Sequence, residues 1–232
     1  MNGGFRQHST AGTLLRALMA RRAVALTGLN PQGRSDLALV RVTRELTPLL
    51  VEDVPALQIL ASVRAACRLG GAMAEAGVFM GGSARLICEA KGAAPVHLFD
   101  AFETLQGGAS EGLGGSERTV RDHFGPVHSR VDQVRLLLDR YEGVHFHPGW
   151  FPGSAAAARD ERFGFVHLDL DLAQGTRDAL EFFHPRLLPG GILIGDDFNL
   201  AEVREAFEAF FEKAGDTLIR LPWNQVLVVR GS

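Results

Sequence analysis

From residue 72 onward short apolar runs alternate with stretches of helical spacing, and that alternation admits few folds. A parallel strand cannot return through a tight turn; it needs a crossover of a dozen or more residues, usually a helix packed on the sheet. The runs Ala72 to Phe79, Pro95 to Asp100, Val144 to His147, Phe163 to Asp169, Gly191 to Asp196, Thr217 to Leu221 and Gln225 to Val229 read as strands. Helices are expected near Ser83 to Ala90, Ser129 to Tyr141, Thr176 to Leu187 and Asn199 to Ala214. The last opens with Asn199 and Glu202 in capping-box spacing and carries Leu200, Val203, Phe207, Phe210 and Phe211 on one side. Only Pro222-Trp223-Asn224 separates the final two runs, so that pair must be antiparallel. The expected fold is α/β: a doubly wound, mostly parallel seven-stranded sheet, Rossmann-like, with an antiparallel last strand.

A chain of 232 residues with 46% apolar side chains can bury one such core and little more. Residues 71–232 are assigned to the sheet domain and residues 1–70 to an N-terminal helical extension. Within the extension, helices are expected over Ala11 to Val24 and Ser35 to Glu45, with Asn30-Pro31-Gln32-Gly33 as a turn between them. In a third helix Ala56, Leu60, Val63 and Cys67 share a face, and Leu69-Gly70-Gly71 signals its end. Arg16, Arg21 and Arg22 interrupt the apolar stretch from Leu14 to Leu26, so it reads as neither membrane span nor signal peptide. A cytoplasmic protein without a membrane partner is expected. Twenty-four basic against 27 acidic residues, with no long run of one sign, favour no nucleic acid either. Cys67 and Cys88 lack metal-site spacing and read as structural thiols.

Ligands of open parallel sheets gather beyond the carboxyl ends of the strands. The first strand runs into Glu75-Ala76-Gly77-Val78-Phe79-Met80-Gly81-Gly82-Ser83, a glycine turn entering a helix, whose free N–H groups suit a carboxylate or phosphate. The second ends at Asp100, where a carboxylate can accept hydrogen bonds from ribose hydroxyls. Together they point to an adenosine-type cofactor. Phe79 stands where a dinucleotide site would need its second glycine, which disfavours a pyrophosphate. Asp169 and Asp196 end strands separated by one complete crossover, so they should emerge side by side with Asp197. Three unpaired carboxylates there would repel; a divalent cation resolves the repulsion, and oxygen ligands suit Mg²⁺, Mn²⁺ or Ca²⁺ over zinc. Helix capping would account for at most one of them per helix.

Taken in order, these motifs, with Leu98-Phe99-Asp100-Ala101-Phe102-Glu103, Gly149-Trp150-Phe151-Pro152, His167-Leu168-Asp169-Leu170-Asp171 and Leu188-Pro189-Gly190-Gly191-Ile192-Leu193-Ile194-Gly195-Asp196-Asp197, resemble the macrocin O-methyltransferases, which methylate sugar hydroxyls of natural products. The first and last motifs are also similar to those of catechol and caffeoyl-CoA O-methyltransferases. The resemblance implies a class I methyltransferase sheet, S-adenosylmethionine as cofactor, Mg²⁺ or a similar cation, and a small hydroxylated substrate. It implies that Gly77, Gly81 and Ser83 hold the methionine end of the cofactor, that Asp100 holds its ribose, and that Glu75, which begins the motif, belongs to the same cofactor-binding set. It further implies that Asp169, Asp196 and Asp197 bind the metal, with Asp169 also the general base, and that the N-terminal extension is a lid or homodimer surface. The chain departs from the family after Asp171, where Leu172-Ala173-Gln174-Gly175-Thr176 replaces the usual tyrosine and Glu-Ser-Thr.

Two other readings stay open at this point: a nicotinamide-dependent oxidoreductase on the same topology, and a non-catalytic descendant that only binds S-adenosylmethionine. His145, His147 and His167 lie inside strands and read as packed or hydrogen-bonded residues rather than ligands. His123 and His128 lie where they could meet a substrate, and the glycine-rich stretch from Gln106 to Ser116 suggests a flap.

Overall fold

The computed structural model describes residues 28–102 and 129–231. The helix expected over Ala11 to Val24, the flap, His123 and His128 lie outside the described residues. Helix α1, Pro31–Leu46, begins where a turn was expected. An Asn-Pro-x-Gly string suits both, and a cap decides: Asn30 Oδ1 accepts a hydrogen bond from the Gly33 amide at 2.7 Å, while Pro31 occupies the position where a missing N–H is harmless. Helix α2, Asp53–Ala66, buries Ala56, Ile59, Leu60, Val63 and Ala66 completely. It is therefore a layer of the core, although it precedes the first strand. Its end tightens into a short 3₁₀ turn, Cys67–Leu69, closed by Gly70 in the left-handed conformation.

The strands are β1 Ala72–Ala76, β2 Val96–Asp100, β3 Val144–Pro148, β4 Phe163–Leu168, β5 Leu187–Gly195, β6 Leu218–Arg220 and β7 Val226–Val229. They form one sheet in the order β3-β2-β1-β4-β5-β7-β6. The first five are parallel; β7 runs antiparallel to both β5 and β6. The remaining helices are α3 Gly82–Ala90, α4 Val131–Leu138, α5 Ala173–Phe183 and α6 Ala201–Ala214. Strand alternation divides the core. Met73, Val96, Leu98, Phe165 and Ile194 face a layer built from α2, α3 and α4. Ala72, Ala74, Phe99, Val166, Leu193 and Val228 face α5 and α6. No described helix is long and apolar enough to cross a membrane.

Strand β5 starts at Leu187, four residues before the expected Gly191, and the helix ahead of it spans Ala173–Phe183 instead of Thr176 to Leu187; two further differences have local reasons. Strand β1 stops at Ala76 instead of Phe79, because Gly77 at φ 89° turns the chain out of the ladder. The Asn199/Glu202 capping box does not form: Leu200 is the N-cap of α6 without a side-chain cap bond, and its amide donates to the Asp197 carbonyl at 2.8 Å. A turn from Asp197 to Leu200 thus precedes the helix and holds Asn199 outside it. Leu200 is exposed; the buried stripe is Val203, Ala206, Phe207 and Phe211.

On the α5 side, β2 and β3 bring His97, His145 and His147 together. The His97 ring stacks 5.2 Å from His147 and 4.8 Å from His145, and His97 Nδ1 lies 3.0 Å from His147 Nε2. Burial first, then the charges of His147 and His145, push His97 down to about 4. An unfolded chain takes up this proton near pH 6.5, a folded one only near pH 4. Stability from the neutral stack is therefore complete above pH 6.5 and is lost as the pH falls toward 4. Melting curves should show His97→Phe losing less of its melting temperature than the wild type over that interval; equal losses would remove His97 as the cause.

Candidate active site

The carboxyl ends of β1, β2, β4 and β5 lie side by side, and the backbone there is unusual. The non-glycine residues with positive φ among the described residues are Phe79 (50°), Phe102 (46°), Asp171 (58°) and Asp197 (59°), one beyond each of these four strands. Such conformations cost on the order of 1 kcal/mol or more each and persist where surrounding structure enforces them, commonly at functional sites. Phe79 thus takes the left-handed conformation that favours glycine. Gly77 cannot be replaced so easily: a Cβ on it would lie 1.6 Å from the Asp169 carbonyl oxygen. That contact joins the end of β1 to the first aspartate of the site, where the Asp169 amide donates to the Ala76 carbonyl at 2.8 Å.

Asp100 braces the same turn. Its Oδ2 accepts from the amides of Val78 at 2.7 Å and Phe79 at 2.8 Å, and its Oδ1 accepts from the Phe102 amide at 2.5 Å. Burial raises its pKa and these three donors oppose the rise. A carboxylate offers about four acceptor sites, of which the described residues take three. Gly81, at φ 81°, precedes α3, and a Cβ there would meet Val134 of α4 at 2.8 Å. Ser83 follows in the first turn of α3. Glu75 differs from its companions in the motif: it is fully buried within the sheet, with Oε1 2.8 Å from His167 Nδ1. Burial raises its pKa, opposed first by His167 and then by Ser83.

The aspartates converge as β4 and β5 end. Leu168 pairs with Gly195, so Asp169 and Asp196 leave neighbouring strands together. Gly195 has its own reason to be glycine, since a Cβ would lie 2.1 Å from the Phe207 ring and force α6 away from β5. Among the described residues, candidate ligand atoms come within 4.8 Å of one another in two sets: His167, Asp169 and Asp196, and Asp169, Asp171 and Asp197. The three expected aspartates thus divide between two overlapping sets that share Asp169. Asp171 was not singled out from the sequence, although its D-x-D spacing from Asp169 was the available signal. His167 keeps the hydrogen-bonded role expected of it.

Electrostatics at this edge favour a cation. Burial, then the charges of Asp196 and Asp197, hold the Asp169 carboxyl well above the usual range. Burial and Asp197 push Asp171 up to about 8, and burial and Asp196 raise Asp197. Asp197 Oδ2 is a buried acceptor without a hydrogen-bond partner among the described residues. Carboxylates crowded this way must either keep protons or share a positive ion. The aspartates of both sets offer oxygen, which fits Mg²⁺ or Mn²⁺.

Comparison with known proteins identifies the family and the fold. The family model described as macrocin O-methyltransferase (TylF) matches residues 56–226. The chain is 35% identical over 155 residues to the 8-demethyl-8-(2,3-dimethoxy-alpha-L-rhamnosyl)-tetracenomycin-C 4'-O-methyltransferase of Streptomyces olivaceus, a match covering 62% of this chain and 59% of that protein. It is 38% identical over 97 residues to the mycinamicin III 3''-O-methyltransferase of Micromonospora griseorubida, covering 42% of this chain and 34% of that one. The matched region therefore spans 59% or less of the length of these two curated relatives. Among solved structures, the O-methyltransferase NovP superposes with a TM-score of 0.65 at 24% identity, over 75% of this chain and 78% of its own. The TDP-rhamnose 3'-O-methyltransferase CalS11 of calicheamicin biosynthesis gives 0.55 at 15% identity over 98% of both chains. Both are likenesses of fold. With the family model spanning most of the sheet and every strand end described above, the chain belongs to the macrocin O-methyltransferase family.

Proposed function

We propose that the chain transfers a methyl group from S-adenosylmethionine to a hydroxyl of a glycosylated natural product, with Mg²⁺ or a similar cation at the aspartate edge. The observation that carries this reading is the convergence of four aspartates beside the Gly77 turn in a chain of this family. Of the relatives, one acts on a rhamnosyl tetracenomycin and another on mycinamicin III, which favours a glycosylated acceptor.

Asp169, Asp196 and Asp197 would hold the cation, which when bound lowers the pKa of a substrate hydroxyl. Asp171, beside Asp169 and Asp197, would accept the hydroxyl proton on a carboxylate oxygen. The sequence reading gave that task to Asp169 as well; Asp171 shares the second candidate set with Asp169 and Asp197 and would take the proton in place of binding the cation. The Gly77 turn, Gly81 and Ser83 would receive the methionine end of the cofactor, and the spare acceptor site of Asp100 a ribose hydroxyl. Glu75 lies behind them, within the sheet. Holding both reactants in line can supply roughly 7 to 11 kcal/mol of the barrier reduction.

Calorimetric titration tests the cofactor. S-adenosylhomocysteine should bind at least tenfold more tightly than NAD, a difference of about 1.4 kcal/mol or more. Tighter binding of NAD would return the chain to the oxidoreductase reading and end this one.

A further inference from the structure

Behind the aspartates runs a buried string of side chains that methyl transfer as described does not employ. Glu75 of β1, His167 of β4 and Ile194 of β5 stand in register across the sheet, and alternation carries the same face on to Asp196. His167 Nδ1 is 2.8 Å from Glu75 Oε1 and His167 Nε2 is 2.8 Å from Asp196 Oδ2, with the imidazole fully buried. Gln225 Nε2 donates to the same Asp196 oxygen at 3.2 Å. A histidine that merely fills a core commonly pairs one donor and one acceptor. Here both partners are carboxylates, so neither ring nitrogen is left to coordinate an ion, although His167 falls within the first ligand set. Two N–H groups converge on Asp196 Oδ2 and fix the rotation of that carboxylate, leaving Oδ1 for other work.

We propose that His167 is a positioning residue, anchored by Glu75, that sets the orientation of Asp196 as a metal ligand. The proposal rests on the metal reading of the aspartates given above. Mg²⁺ and Mn²⁺ demand near-octahedral geometry, and groups that orient a ligand typically govern metal affinity by 10- to 100-fold.

Two substitutions separate the halves of the string. The side chain of His167→Asn reaches only as far as Nδ1, toward Glu75; that of His167→Gln reaches as far as Nε2 and can still donate to Asp196. Mn²⁺ binding followed by electron paramagnetic resonance, without acceptor or cofactor, should weaken about 10- to 100-fold in His167→Asn and stay within about threefold of wild type in His167→Gln. S-adenosylhomocysteine affinity should stay within about threefold in both, because its contacts lie on β1 and β2. Wild-type Mn²⁺ affinity in a folded His167→Asn would overturn the proposal, as would equal loss in both variants. Should His167→Asn fail to fold, nitrogen-15 spectra of the wild type decide: the His167 Nε2 resonance should move on Mg²⁺ addition, and a fixed resonance overturns the proposal. A wild type that binds no Mn²⁺ would instead defeat the metal reading itself, and that appears before any His167 variant is made.

Discussion

Asp169→Asn is expected to reduce methyl transfer by at least about a hundredfold while leaving S-adenosylhomocysteine bound. Asp169 is common to both sets of candidate ligands, so its charge is the one no neighbour replaces. Asparagine keeps the shape and the backbone contact with Gly77 and removes only the negative oxygen. Lewis-acid stabilisation by a bound cation is worth several kcal/mol, and each 1.36 kcal/mol is about a factor of ten in rate. Cofactor affinity should change by less than about tenfold, since the glycine turn and Asp100 are untouched. A chelator should reproduce the loss in the wild type, and Mg²⁺ should restore the wild type alone. Full activity of Asp169→Asn in excess chelator would exclude a metal from the reaction.

Gly77→Ala should cost on the order of 4 kcal/mol, a fall of roughly 8 to 16 °C in melting temperature for a domain of this size. Two penalties combine: φ is 89°, and the new methyl would lie 1.6 Å from the Asp169 carbonyl oxygen, backbone that cannot swing aside. Gly215→Ala separates them. There φ is 82° and none of the described residues lies within 4 Å, so only the left-handed conformation is penalised, by about 1 to 2 kcal/mol. Equal melting temperatures for the two variants would mean that the close approach at Gly77 relaxes freely, and its role as the join between β1 and β4 would have to be given up.

The sheet was legible because its signals are local and redundant. Each of the seven expected runs contains or overlaps a strand, and the three residues between the last two could make only a reversal. The glycine turn, Asp100 and the paired strand-end aspartates were legible because their chemistry is carried by residue type and spacing. What escaped depends on three-dimensional contact. Asn30 reads alike as turn or cap, and only its bond to Gly33 decides. Nothing in an isolated helix 53–66 says that it packs on a sheet formed later in the chain. The brace formed by Asp100 on the Val78 and Phe79 amides needs two strand ends at once. Glu75 sits in the cofactor motif by sequence, yet the strand beside it supplies the histidine that holds it within the sheet.

Strand β7 follows β6 in the chain but lies between β5 and β6 in the sheet. Seen from the ribosome, this order matters. A nascent chain synthesised only as far as β6 has four positions of β5, Ile192 to Gly195, without their antiparallel partners. Its β6 has no neighbour to join. Asp196 then has His167 alone, because Gln225, the second donor to its carboxylate, arrives immediately ahead of β7. The aspartate edge is therefore incomplete until the short segment from Gln225 to Val229 has been made, and that segment both pairs with β5 and supplies the missing donor.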